Sequence, residues 1–259
     1  MLASMTGLFG LSLSVMVVVA VLVVVFASAL LQAALGFGFA LIAVPLLVMV
    51  LDPKTAVITV FLLASTASVL TLRAARSDVA LEEAKRLSIG AVVAMPAGVA
   101  LLLSAPSLVL RLCLGVVTIS AAVWLLVGHD PAERAAQPSP LLAYAAGAVS
   151  GVLNTALSTN GPPLVVYLRS RGLSPHVFRS TISVVFTISN VVGLAYLAIG
   201  GAIHREAVVL ALLAGPCNVI GWWAGNSLAK RIAPHHFDRI VDVALLVSGL
   251  VVMVRAFFD

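Results

Sequence analysis

Long apolar stretches separated by short charged loops dominate the chain. Uncharged runs occupy residues 13–31, 55–72, 87–104, 108–128, 141–157, 180–199, 207–228 and about 240–257. Each approaches the roughly 20 helical residues that cross a bilayer core, so the pattern predicts eight long membrane helices. Two shorter apolar pieces, 39–51 and 163–168, each follow a cluster of small polar residues. At ~1.5 Å rise per residue the second is too short to cross alone, and both read as half-helices.

The interruptions recur. The stretch ALGFGFALIAVPLL begins at Ala34 and ALSTNGPPLVVYL at Ala156, 122 positions later. Pro53 pairs with Pro175 at the same offset, Pro96 with Pro216 at 120, and Pro106 with Pro234 and Arg111 with Arg239 at 128. Matches of Ala, Val or Leu carry little information in this composition, so the prolines, the arginine and the coincident breaks define the duplication. It divides the chain into repeats at 1–139 and 140–259, each with four long helices and one broken or re-entrant half-helix.

Composition agrees with this class. With 62% apolar and 10% charged residues, a soluble globule would lack the polar residues to cover its surface. The formal charge of +5 lies in short loops, where it sets membrane orientation rather than binding nucleic acid. Residues 1–12 hold no Lys or Arg, and the following run is longer than a signal-peptide core, so we expect this segment to be retained. If each broken segment crosses once, the loop Lys and Arg residues divide seven against eight. If each enters and returns, the halves are inverted and eleven share one side, leaving Lys54, Arg111, Arg205 and Arg255. The positive-inside rule selects the inverted arrangement, with both termini outside the cytoplasm.

The breaks carry the chemistry. Asn160-Gly161-Pro162-Pro163 reads as a cap and helix start, because proline is tolerated where its missing N–H would be unpaired anyway. A second half-helix begins near Phe39, after Gly36-Phe37-Gly38. Irregular backbone at membrane depth is tolerated where it lines a cavity, and two converging helix N-termini form an anion site. Ser158 and Thr159 add hydroxyls, while Gln32 and Asn154 place an amide one turn before each break. Ser65 corresponds to Thr187 and Ser68 to Asn190, a polar stripe at i and i+3 that reads equally as cavity lining or as helix–helix hydrogen bonding. The substrate-binding set is therefore Gln32, Gly36, Phe37, Gly38, Ser65, Asn154, Ser158, Thr159, Asn160, Gly161 and Asn190. Arg179 reads as a snorkelling interfacial arginine.

Other features carry less. Gly147 with Gly151, and Gly221 with Gly225, have small-xxx-small spacing that fits packing within the subunit or a homodimer face. His235-His236 with Asp238 reads as a solvated loop. Cys113 and Cys217 lie in apolar runs and read as small buried hydrophobes. The sequence implies no cofactor and no metal, and it places no acid deep in a span except Asp242 near the start of the last helix.

At the breaks the chain resembles the TauE/SafE sulfite exporter family across nearly its whole length. Gly36, Gly38 and Pro45 match a GxGGGxxxxP-like pattern, with Phe37 and Phe39 in place of glycines. Gly161 and Pro162 match the end of a GxGGP-like pattern, where Ser158, Thr159 and Asn160 replace the usual glycines. The resemblance implies transport of small sulfur-containing anions, sulfite or organosulfonates, across the inner membrane. Taken with the residues, it gives an all-α polytopic permease of two inverted repeats working by alternating access. A membrane-embedded enzyme, a non-transporting scaffold and an anion channel are the alternatives.

Overall fold

The computed structural model describes residues 14–35, 37–74, 78–126 and 139–228. It is helical: α1 Val15–Leu35, α2 Phe39–Leu47, α3 Pro53–Ala74, α4 Leu81–Ser104, α5 Ser107–Leu126, α6 Pro140–Leu157, α7 Gly161–Ser170, α8 Pro175–Ile199 and α9 Arg205–Leu228. Among the described residues, seven of these helices are long and apolar enough to cross a membrane. At ~1.5 Å per residue α2 and α7 reach only about 15 Å, half of the bilayer core. The eighth expected long helix at 240–257, the His235-His236 loop, Asp242 and Gly36 lie outside the described residues.

The helices extend past the uncharged runs that predict them. α4 begins at Leu81 rather than at 87, taking in Glu82, Glu83, Lys85 and Arg86, and α8 begins at Pro175 rather than at 180. An uncharged run marks where a helix enters hydrocarbon, whereas backbone hydrogen bonding continues through the polar interface. Pro53 and Pro175, matched by the repeat, both occupy the first turn of their helices, and Pro96 and Pro216 both sit inside theirs.

Contacts between helix ends give the direction of each element. Lys54 Nζ donates to Leu103 O, Ser107 Oγ donates to Asp52 Oδ1, and Thr55 Oγ1 meets His204 Nε2 at 3.0 Å. α3, α5 and α9 therefore start at one end of the bundle, where α4 and α8 finish. At the opposite end, Tyr167 and Arg171 reach Glu83, and Ala80 N donates to Thr181 Oγ1. Here α4 and α8 start and α7 finishes. Gly221 lies against Phe26 O and Gly225 against Leu30 O, so α1 runs with α9; Gly147 against Leu87 O and Gly151 against Ala91 O make α6 run with α4. α1 and α6 thus point in opposite directions, as do α3 and α8, and α4 and α9.

Both small-xxx-small stripes are consumed inside the subunit by these crossings. A Cβ at Gly147, Gly151 or Gly225 would overlap a carbonyl of the facing helix. Glycine lets the backbones approach closely enough for packing and Cα–H···O contact to hold helices together where lipid supplies no hydrophobic drive. Large apolar side chains such as Val93 and Trp223 point outward, 75% and 72% exposed, as hydrocarbon-facing positions require.

Candidate functional site

The two interruptions meet. Gly38, Phe39, Ala40 and Leu41 open α2, and Ser158, Thr159, Asn160 and Gly161 lead into α7; together with Gln32, Ser68, Phe186 and Asn190 they line one small cavity. Gly38 takes φ 101°, a left-handed conformation that glycine adopts without strain. α6 ends on Ser158, also left-handed at φ 57°, and Thr159 N returns to Leu153 O in a Schellman-type closure. α1 is closed differently: Arg179 Nη2 of α8 donates at 3.0 Å to Ala33 O in its last turn. This corrects the snorkelling reading, since a cation at a helix C-terminus satisfies a carbonyl that the break leaves free.

Asn160 occupies the N-cap position of α7, as the sequence predicts, but its side chain makes no capping hydrogen bond. Ser150 Oγ instead donates to Asn160 O at 2.8 Å and fixes the turn, while Asn160 Nδ2 stays buried and unpartnered. Gln32 Oε1 and Ser158 Oγ are likewise buried without a partner, in side chains only 3% and 2% exposed. Buried polar atoms are nearly always hydrogen-bonded, so three orphans around one cavity mark it as the candidate site.

Asn154 and Asn190 act as braces. Asn154 Nδ2 donates to Asn190 Oδ1 at 3.2 Å, Asn190 Nδ2 to Ser68 Oγ at 2.9 Å, and Ser68 Oγ to Ala64 O at 2.8 Å. This chain ties α6 to α8 and α3 across the repeat boundary. Ser65 lies outside the cavity lining and donates to Phe61 O in its own helix. Thr187 likewise bonds back to Ser183 O. Phe37 faces a separate apolar cavity of about 300 Å³ with Leu41, Trp124 and Pro162. It packs beside Gly161, where the Cβ of an alanine would sit 3.6 Å from the Phe37 ring.

The buried acid Glu83 escaped sequence reading, because the uncharged run of α4 starts after it. In the helix it is 5% exposed, accepts a 2.5 Å bond from Tyr167 Oη and pairs with Arg171 at 2.8 Å. It thereby fastens the far end of α7 to α4. The signal available in sequence was an acidic pair, Glu82-Glu83, placed where a helix N-terminus stabilises negative charge.

Interrupted helices meeting at a cavity inside a polytopic bundle define the class of membrane protein to which this chain is assigned. A family model for the sulfite exporter TauE/SafE matches residues 20–252, and the chain belongs to that family. Among curated proteins it is 31% identical over 129 residues to the "Probable inner membrane transporter protein TsaS" of Comamonas testosteroni, covering 49% of this chain and 53% of that protein. It is 25% identical over 153 residues to the "Probable sulfite/organosulfonate exporter TauE" of Cupriavidus necator, covering 59% of each. The chain thus spans little more than half the length of the curated relatives it matches. No solved structure matches it.

Proposed function

We propose that the protein is an inner-membrane permease for a small sulfur-containing oxyanion, sulfite or an organosulfonate, held where the first turns of α2 and α7 meet. One observation carries this reading: both helix N-termini open onto a cavity edged by unpartnered buried polar atoms. Free N–H groups and the positive ends of two helices favour an anion there. Family membership supports transport, and the names of the two relatives support the substrate class.

The chain forms two inverted repeats in this reading. The opposed directions of α1 and α6, α3 and α8, and α4 and α9 support it. So do the returns of α2 to the end where α1 begins and of α7 to the end where α6 begins. The cavity, about 20 Å³, holds roughly one water molecule. An oxyanion therefore enters only when the half-helices part, which fits alternating access better than an open pore. The test is flux in proteoliposomes with labelled sulfite and methanesulfonate. Saturable uptake with counterflow is expected; absence of flux for every small anion would remove the reading, and flux without saturation or counterflow would make it a channel.

A further inference from the structure

Among the described residues, six polar side chains line the cavity, Gln32, Ser68, Ser158, Thr159, Asn160 and Asn190, and no lining side chain is charged. Within the lining the positive element is the pair of helix N-termini, each equivalent to about half a unit charge, so together they offset about one negative charge; the Arg179 guanidinium lies outside the lining, engaged by Ala33 O. A second negative charge would be buried without compensation, at an effective penalty of several kcal/mol. The orphan atoms add a separate constraint. Asn160 Nδ2 is a donor and suits an anion, but Gln32 Oε1 is an acceptor without a partner, in a side chain 3% exposed. A fully ionised oxyanion brings acceptors only and leaves that carbonyl unpaired, whereas an oxyanion carrying one proton brings an O–H.

We infer that the cavity takes its ligand as a singly charged, once-protonated oxyanion, hydrogensulfite in the sulfite case, with Gln32 Oε1 accepting the ligand's O–H. The inference rests on the transport reading and narrows it. Its pH dependence belongs to the ligand. Among the described residues, the charged or titratable groups on the helices that pack against α1 or line the cavity with Gln32 are Lys54 and Arg73 of α3, Tyr144 of α6, Tyr167 and Arg169 of α7, His176, Arg179 and Tyr196 of α8, and Arg205, Glu206 and Cys217 of α9, and none of them lines the cavity. α1 and α2 contribute none.

The experiment uses the full chain in proteoliposomes, with leak through protein-free liposomes subtracted. Three probes are compared at fixed total concentration from the acid to the alkaline side of neutrality: sulfite, which gains a proton over this range, methanesulfonate, a monoanion throughout, and sulfate, a dianion throughout. Sulfite flux is expected to follow the hydrogensulfite fraction, falling about tenfold per pH unit above the ligand's own pKa. Methanesulfonate flux stays flat and lower, and sulfate flux is absent. Gln32→Met lowers the ratio of sulfite to methanesulfonate flux about tenfold, the loss of one buried hydrogen bond, and being a ratio it is insensitive to folded yield. A flat sulfite profile, a methanesulfonate flux that climbs equally with acid, sulfate moving as fast as sulfite, or an unchanged ratio in Gln32→Met overturns the inference while leaving transport standing. No flux with any probe overturns both.

Discussion

Asn160 and Asn190 are the same residue type and line the same cavity, yet their hydrogen bonding assigns them different work. Both amide groups of Asn190 are engaged, to Asn154 and Ser68, so Asn190→Leu strands buried partners on two helices. Leaving such groups unpaired costs about 1–3 kcal/mol, and a lowered unfolding temperature in detergent is the expected readout. Asn160 Nδ2 has no partner, so Asn160→Leu removes little that holds the fold. Its expected effect is on transport, a loss of about tenfold or more in flux at unchanged insertion, matching one lost ligand hydrogen bond. Normal flux in a well-inserted Asn160→Leu protein would count against the site. Ser158 adds a conformational point: its left-handed backbone, φ 57°, stands where the family pattern carries glycine, and Ser158→Gly should relieve strain of about 1 kcal/mol. A Ser158→Gly protein that unfolds at a lower temperature than the parent would refute that account.

At the scale of elements, the tightest joints are the α4–α6 and α1–α9 crossings, where glycine is required by space rather than by backbone angle. Gly151→Val would push a side chain into Ala91 O, and the two helices would have to part. Overpacking of this kind costs about 1–3 kcal/mol. Among the described residues, nothing lies within 4 Å of where a side chain at Gly215 of α9 would begin, so Gly215→Val should give the parent's folded yield. Size-exclusion profiles of the two variants check the contrast, and equal yields would show that the α4–α6 joint is not a close contact. The sequence made the existence and order of these helices legible because a period of apolar runs is imposed by the bilayer itself. It also exposed both breaks, since Gly36-Phe37-Gly38 and Asn160-Gly161-Pro162-Pro163 interrupt runs that lipid would otherwise keep continuous. Partner choice was not legible: small-xxx-small spacing says that something approaches closely without saying what. The role of Arg179 depends on a carbonyl 146 positions away, and the burial of Glu83 on a tyrosine 84 positions away, separations at which no local pattern operates.

Over the whole molecule, charge and direction bear on one question. Arg73, Lys85, Arg86, Arg169, Arg171 and Arg179 gather toward the end where α4 and α8 begin, against Lys54, Arg111 and Arg205 toward the other. The positive-inside rule places the first end in the cytoplasm. The α3–α4 and α8–α9 loops hold corresponding places in the two halves, so parallel repeats would put them on the same side of the membrane and inverted repeats on opposite sides. Asp78 and Arg205 are exposed residues in or next to these loops. With the free Cys113 and Cys217 replaced by alanine, Asp78→Cys should react with a membrane-impermeant maleimide only after the cytoplasmic face is opened. Arg205→Cys should react in intact spheroplasts. Labelling of both from one side would overturn the inverted arrangement, and with it the symmetry on which the proposed anion site between two helix N-termini rests.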